Sequence, residues 1–203
     1  MTRDRRVLFL GDSFVAGVGD PTGLGWVGRV VAASFAAGDP LTAYNLGVRG
    51  DTSTDVAARW EGEADARMRA APEASYGVVF GLGVNDTTGE GGGVRVAPGV
   101  AVDTLGLMID SARDRGLDVL VVGPPPAGDD PEQDRRIRDL STRFEEVAAA
   151  RDVPFIVTFD ALCGVPAWRA EAAGNDGRHP GAAGYRALAD IVLDGGWGAW
   201  LDL

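Results

Sequence analysis

A chain of 203 residues, 45% hydrophobic and 24% charged, is sized and composed for one globular domain with a sizeable core, expected over 1–203. Its formal net charge of −11 argues against nonspecific nucleic-acid binding and against docking on anionic lipid, both of which need a basic face. A single cysteine, Cys163, and a single histidine, His179, exclude an intrachain disulfide, a thiolate metal cluster and a multi-histidine metal site.

Residues 7–10, Val-Leu-Phe-Leu, read as a first strand buried on both faces, and the run breaks at Gly11 into Asp12-Ser13. A serine on a turn at the carboxyl end of a buried strand sits where open α/β sheets place ligands and where free backbone N–H groups collect. Ser13 is therefore a candidate nucleophile, although Gly-Asp-Ser also occurs in ordinary turns. A glycine-rich turn leads into a first helix over 26–37, and 44–46 form a short second strand ending in Gly47-Val48-Arg49-Gly50-Asp51. Thr52 and Asp55 make a capping-box helix start, with Val56, Trp60, Ala64 and Met68 on one stripe.

Residues 76–82 read as a third strand closed by Gly83-Val84-Asn85-Asp86. A glycine-rich loop is predicted over 87–99, bordering the substrate entrance and moving. Val102, Leu105, Ile109 and Ala112 mark a third helix, 118–122 a fourth strand ended by Gly123 and three prolines, and Ile137, Leu140, Phe144 and Val147 a fourth helix. A fifth strand is predicted over 154–159 and a last helix from Pro180. In the tail over 196–201, Trp197 and Trp200 either dock in the core or form an interaction patch.

Strands alternating with helices imply parallel βαβ units and a three-layer α/β/α sandwich. All carboxyl ends of a parallel sheet lie on one edge, so Ser13, Gly47, Asn85 and the segment after strand five can meet there. In Asp176-Gly177-Arg178-His179-Pro180, a carboxylate three residues before an imidazole can bond one ring nitrogen and aim the other outward as a base. The backbone N–H groups of Ser13 and Gly47 and the Asn85 amide are candidate oxyanion donors. Each of these residues has a plainer reading. Asn85 and the glycines could be turn residues, and His179 a helix-start residue.

Taken together, Gly11-Asp12-Ser13, Asn45-Leu46-Gly47-Val48-Arg49-Gly50, Gly83-Val84-Asn85-Asp86 and Asp176-Gly177-Arg178-His179-Pro180 resemble the four blocks of the SGNH hydrolases, also called GDSL-type esterases and lipases. The blocks stand in the family's order across nearly the whole chain; Phe14 replaces the leucine of the family name, at a position outside the chemistry. The resemblance implies a flavodoxin-like sandwich around a five-stranded parallel sheet. It also implies Ser13 as nucleophile, His179 as base oriented by Asp176, and Ser13, Gly47 and Asn85 as the oxyanion hole.

The function this implies is a serine hydrolase that needs no metal or organic cofactor and cleaves a short-chain acyl ester or an acetylated carbohydrate. Lysophospholipase or thioesterase chemistry is the alternative, as is a catalytically silent relative that binds a ligand. The partner expected is a small-molecule ester, with no nucleic acid. No stretch approaches the length of a membrane span and the apolar run after Arg6 is too short for a signal peptide, so a soluble, cytoplasmic protein is expected.

Overall fold

The computed structural model describes residues 4–69, 71, 73–128 and 130–202. In chain order the elements are β1 (Asp4–Gly11), α1 (Ser13–Ala16), α2 (Gly25–Ala37), β2 (Thr42–Gly47), α3 (Ser53–Arg67) and β3 (Ala74–Gly81). A 3₁₀ turn (Asn85–Thr87), the two-residue strands β4 (Gly89–Glu90) and β5 (Gly93–Val94), α4 (Pro98–Asp114), β6 (Asp118–Val122) and α5 (Pro131–Ala149) follow. The chain continues through β7 (Phe155–Ile156), α6 (Phe159–Cys163), α7 (Pro166–Gly174), α8 (Ala182–Val192), a π-helical turn (Leu193–Trp197) and α9 (Gly198–Leu201).

Five strands form one parallel sheet in the order β2-β1-β3-β6-β7. Alternation explains why its strands are apolar on both faces. Val7 and Phe9 of β1, Val79 of β3, and Leu120 and Val122 of β6 face one layer, with Trp26 of α2, Trp168 of α7 and Tyr185 of α8. Leu8, Leu10, Val78, Phe80, Val119 and Val121 face the other, packing on Trp60 of α3, Leu105 of α4 and Phe144 of α5. The outcome is the expected three-layer α/β/α sandwich. β1 lies between β2 and β3, so the chain reverses its winding direction beside β1, at the crevice where open sheets bind ligands.

Several boundaries depart from the sequence reading. The fifth strand is two residues long, because β6 runs into Gly123 and then into three prolines that have no N–H to offer a neighbour. Residues from Phe159 onward instead form α6 and α7, neither of which was predicted. The last helix starts at Ala182 rather than Pro180.

The predicted loop over 87–99 contains the antiparallel β4–β5 pair, turning at Gly91 and Gly92, both with positive φ. It is also anchored: Arg136 donates to the Thr87 carbonyl at 2.9 Å and Val96 N–H to the Asp86 carbonyl at 3.1 Å. The tail docks in the core. Trp197 donates to Ser34 at 2.8 Å and Trp200 to the Val119 carbonyl at 3.1 Å. Among the described residues no helix is long and apolar enough to cross a membrane.

Candidate active site

The turn after β1 presents Ser13. Asp12 caps α1, its Oδ1 accepting from the Phe14 N–H at 2.9 Å, which fixes the turn geometry. Ser13 is the first residue of the helix, so its own N–H has no intrahelical acceptor. The loop before α8 brings His179 to it from the far end of the chain. His179 Nδ1 lies 2.7 Å from Asp176 Oδ2, and Nε2 lies 2.7 Å from Ser13 Oγ. An ionised carboxylate can only accept, so Nδ1 carries the proton and Nε2 is left as acceptor for the serine hydroxyl. Burial works to raise the Asp176 pKa, but N–H donors from His179 and Arg178 and the imidazole itself outweigh it and hold the group at about 2.

Two supports for this loop come from α7, which the sequence reading missed. Glu171 accepts from the N–H groups of Gly181, Ala183 and Gly184 at 2.8–3.1 Å, capping α8 from a distance and pinning the chain just after His179. Trp168 stacks on Phe14 at 5.9 Å, and Phe14 lies 4.9 Å from the His179 ring, giving the imidazole an apolar backing. Trp168 is itself fixed by a 3.0 Å bond to the Pro126 carbonyl. The signals in sequence were Pro166 at a helix start and Trp168 and Ala172 at helical spacing.

Asn85 opens the 3₁₀ turn after β3, and its Nδ2 donates to the Asp51 carbonyl at 3.0 Å and to Asp12 Oδ2 at 3.3 Å. The expectation for Gly47 does not hold. Its N–H donates to Asn45 Oδ1 at 3.1 Å, while Asn45 Nδ2 is committed to the Val15 carbonyl at 2.8 Å. A Cβ at Gly47 would sit 2.2 Å from the Ala16 nitrogen, so this glycine lets α1 pack on the end of β2. Gly50, three residues on, takes the left-handed conformation at φ +84° and borders the cleft. No described residue accepts its N–H, and Arg95 of the hairpin segment holds its carbonyl at 2.8 Å.

Ser13, Gly50, Asn85 and His179 thus open on one cleft of about 270 Å³, with Phe14, Val84 and Ala127 as apolar wall and Arg49 and Arg178 completing it. No residue of 87–99 lines it. Beneath the cleft lie buried acids. Burial pushes Asp12 up to about 7, the Asp86 and Asp51 charges adding to the effect and the Phe14 N–H opposing it. Burial likewise raises Asp86, against bonds from the Ser53 hydroxyl and N–H. Arg59 closes the strand ends, donating to the Gly11 and Leu46 carbonyls at 3.1 and 2.9 Å and to Asp51 at 2.8 Å.

Comparison with known proteins bears on this arrangement. The chain matches the GDSL-like lipase/acylhydrolase family over residues 9–187, nearly its whole length. It belongs to that family. A GDSL-like acylhydrolase is a carboxylic ester hydrolase, and the fold agrees. A lipase/acylhydrolase from Enterococcus faecalis is 26% identical, covers 96% of each chain and superposes with a TM-score of 0.77. An acetylxylan esterase from Geobacillus stearothermophilus, 22% identical over 96% of each chain at a TM-score of 0.77, shares the fold of this GDSL-type chain. No curated protein sequence matches it.

Proposed function

We propose that residues 1–203 act as one hydrolase domain that cleaves small carboxylic esters through an acyl-enzyme on Ser13. The observation that carries this reading is the unbroken line Asp176–His179–Ser13, with 2.7 Å at each step, opening on a cleft. His179 Nε2 takes the serine proton as Oγ attacks the acyl carbonyl, and the imidazolium that forms faces the Asp176 carboxylate. His179 then gives the proton to the departing alkoxide. Water attacks the acyl-serine with His179 as base again, and no step needs a metal or organic cofactor.

The oxyanion donors in this reading are the N–H groups of Ser13 and Gly50 and the amide of Asn85. Gly50 replaces Gly47 because its N–H is uncommitted and it lies at the cleft. Asn85 would exchange its longer bond, to Asp12, for the developing alkoxide; each such donor is worth roughly 3–4 kcal/mol of barrier. A cleft of about 270 Å³ lies below the usual range for drug-sized ligands and suits a short acyl group, the acetyl esters of carbohydrates included, better than a long lipid chain. A complete nucleophile, base and orienter have no use in a silent binding protein.

Ser13→Ala tests the mechanism. We expect hydrolysis of 4-nitrophenyl acetate to fall to the level of solvent while the far-UV circular dichroism and melting curve stay those of the parent. Retention of most of the turnover would refute it.

A further inference from the structure

The cleft carries charge of one sign. Arg49 and Arg178 border it, and no acidic side chain does. This stands out in a chain with a formal net charge of −11, in which acids outnumber cations 30 to 19. Among the described residues neither guanidinium forms an ion pair, whereas Arg29, Arg59, Arg115, Arg151 and Arg169 are each held by a carboxylate. Arg178 is instead steered by a neutral group: its Nη1 lies 3.4 Å from Oε1 of Gln133. Gln133 is 1% exposed and locked by donation to the Val84 carbonyl and to the Thr87 and Thr88 hydroxyls at 3.1–3.3 Å. A buried amide orients the cation without neutralising it. Arg49 precedes Gly50 and Arg178 precedes His179, so the two exposed cations flank the reacting centre from different loops.

We infer that this site prefers esters carrying an anionic oxyacid group, a carboxylate or a phosphate, near the scissile carbonyl, with Arg49 and Arg178 as its specificity residues. The inference rests on the Ser13 reading and adds the substrate class. A guanidinium offers paired N–H donors that match either oxyacid, and a partly enclosed cleft strengthens the contact relative to water. The acidic remainder of the molecule repels anions elsewhere, leaving the cleft as the place where they collect.

The test compares each anionic ester with a neutral counterpart of equal acyl length. The 4-nitrophenyl ester of butyrate is set against those of succinate and 3-phosphonopropanoate, which separates carboxylate from phosphate chemistry on the acyl side. Phenyl acetate against 3-carboxyphenyl acetate probes the alcohol side. At low ionic strength at least one anionic ester should exceed its neutral counterpart in kcat/KM by roughly tenfold or more. That ratio should shrink in 0.5 M salt and fall severalfold in Arg49→Gln and in Arg178→Gln, with Lys at the same positions restoring part of it. A ratio within one preparation does not depend on how much of the variant is folded. Neutral esters matching or exceeding every anionic one, or ratios indifferent to both substitutions, would overturn the inference. If the neutral esters were still cleaved in a Ser13-dependent way, the hydrolase reading would survive that outcome. Cleavage of every ester by Ser13→Ala would overturn both.

Discussion

At the scale of single residues, Asp12 carries the sharpest prediction. It is wholly buried, caps α1 beneath Ser13 and receives the weaker bond of Asn85. Burial raises its pKa from 3.8 to about 7 in the fold. A raised folded pKa contributes stability that is fully present below the unfolded value and is lost as pH rises through the folded one. Asp12 should therefore make the protein less stable between about pH 4 and 7, by an amount on the order of a few kcal/mol. Asp176, held at about 2, works the other way and only below pH 4, so the two windows do not overlap. Urea unfolding across pH 4–7 should fall less steeply for Asp12→Asn than for the parent; parallel curves would show that Asp12 is not desolvated. Some slope should remain, since Asp86 is raised in the same direction. That Ser13, Asn85, Asp176 and His179 come together was legible in the sequence, because each is a polar residue beside a predicted turn on one sheet edge. The choice between Gly47 and Gly50 was not. Gly47 ends β2 and Gly50 lies three residues beyond it, and only the approach of Ala16 and the bond to Asn45 assign Gly47 to packing.

Among the elements, α7 is where sequence reasoning fell short and where the site depends most on what was missed. Continuing the fifth strand to 159 placed the Asp176–His179 loop directly on the sheet edge. The chain reaches it instead through α6 and α7, because the prolines after Gly123 end the pairing. The β4–β5 turn was in principle readable, since adjacent glycines are a hairpin signal, but strands of two residues give no period to detect. Glu171 on α7 gathers three N–H groups next to His179 without touching the cleft, so it is a positioning residue. Glu171→Gln keeps the volume but weakens this hold. We expect kcat on a small ester to drop on the order of 10- to 100-fold with a smaller change in KM, as the imidazole loses its setting. A variant that melts earlier yet keeps the parent kcat when folded would make Glu171 a helix cap and nothing more.

For the whole molecule, the winding of the sheet does the assembling. With β1 between β2 and β3, the turns after β1 and β3 lie side by side, and the loop before α8 closes over them from 166 residues away along the chain. This architecture was readable from alternating apolar runs and punctuating glycines, because strands buried on both faces leave a pattern that strand-helix alternation repeats. Core docking is also the favoured reading of the tail, since paired tryptophans bury large apolar rings, but the groups they bond, Ser34 and the Val119 carbonyl, have no signal in the sequence. Covalent trapping asks whether this winding yields one activated serine. Incubation with a fluorophosphonate, followed by intact-mass measurement and peptide mapping, should give a single adduct on Ser13 that His179→Ala forms far more slowly. An adduct on any other serine, or none from enzyme that is hydrolysing esters, would contradict the account.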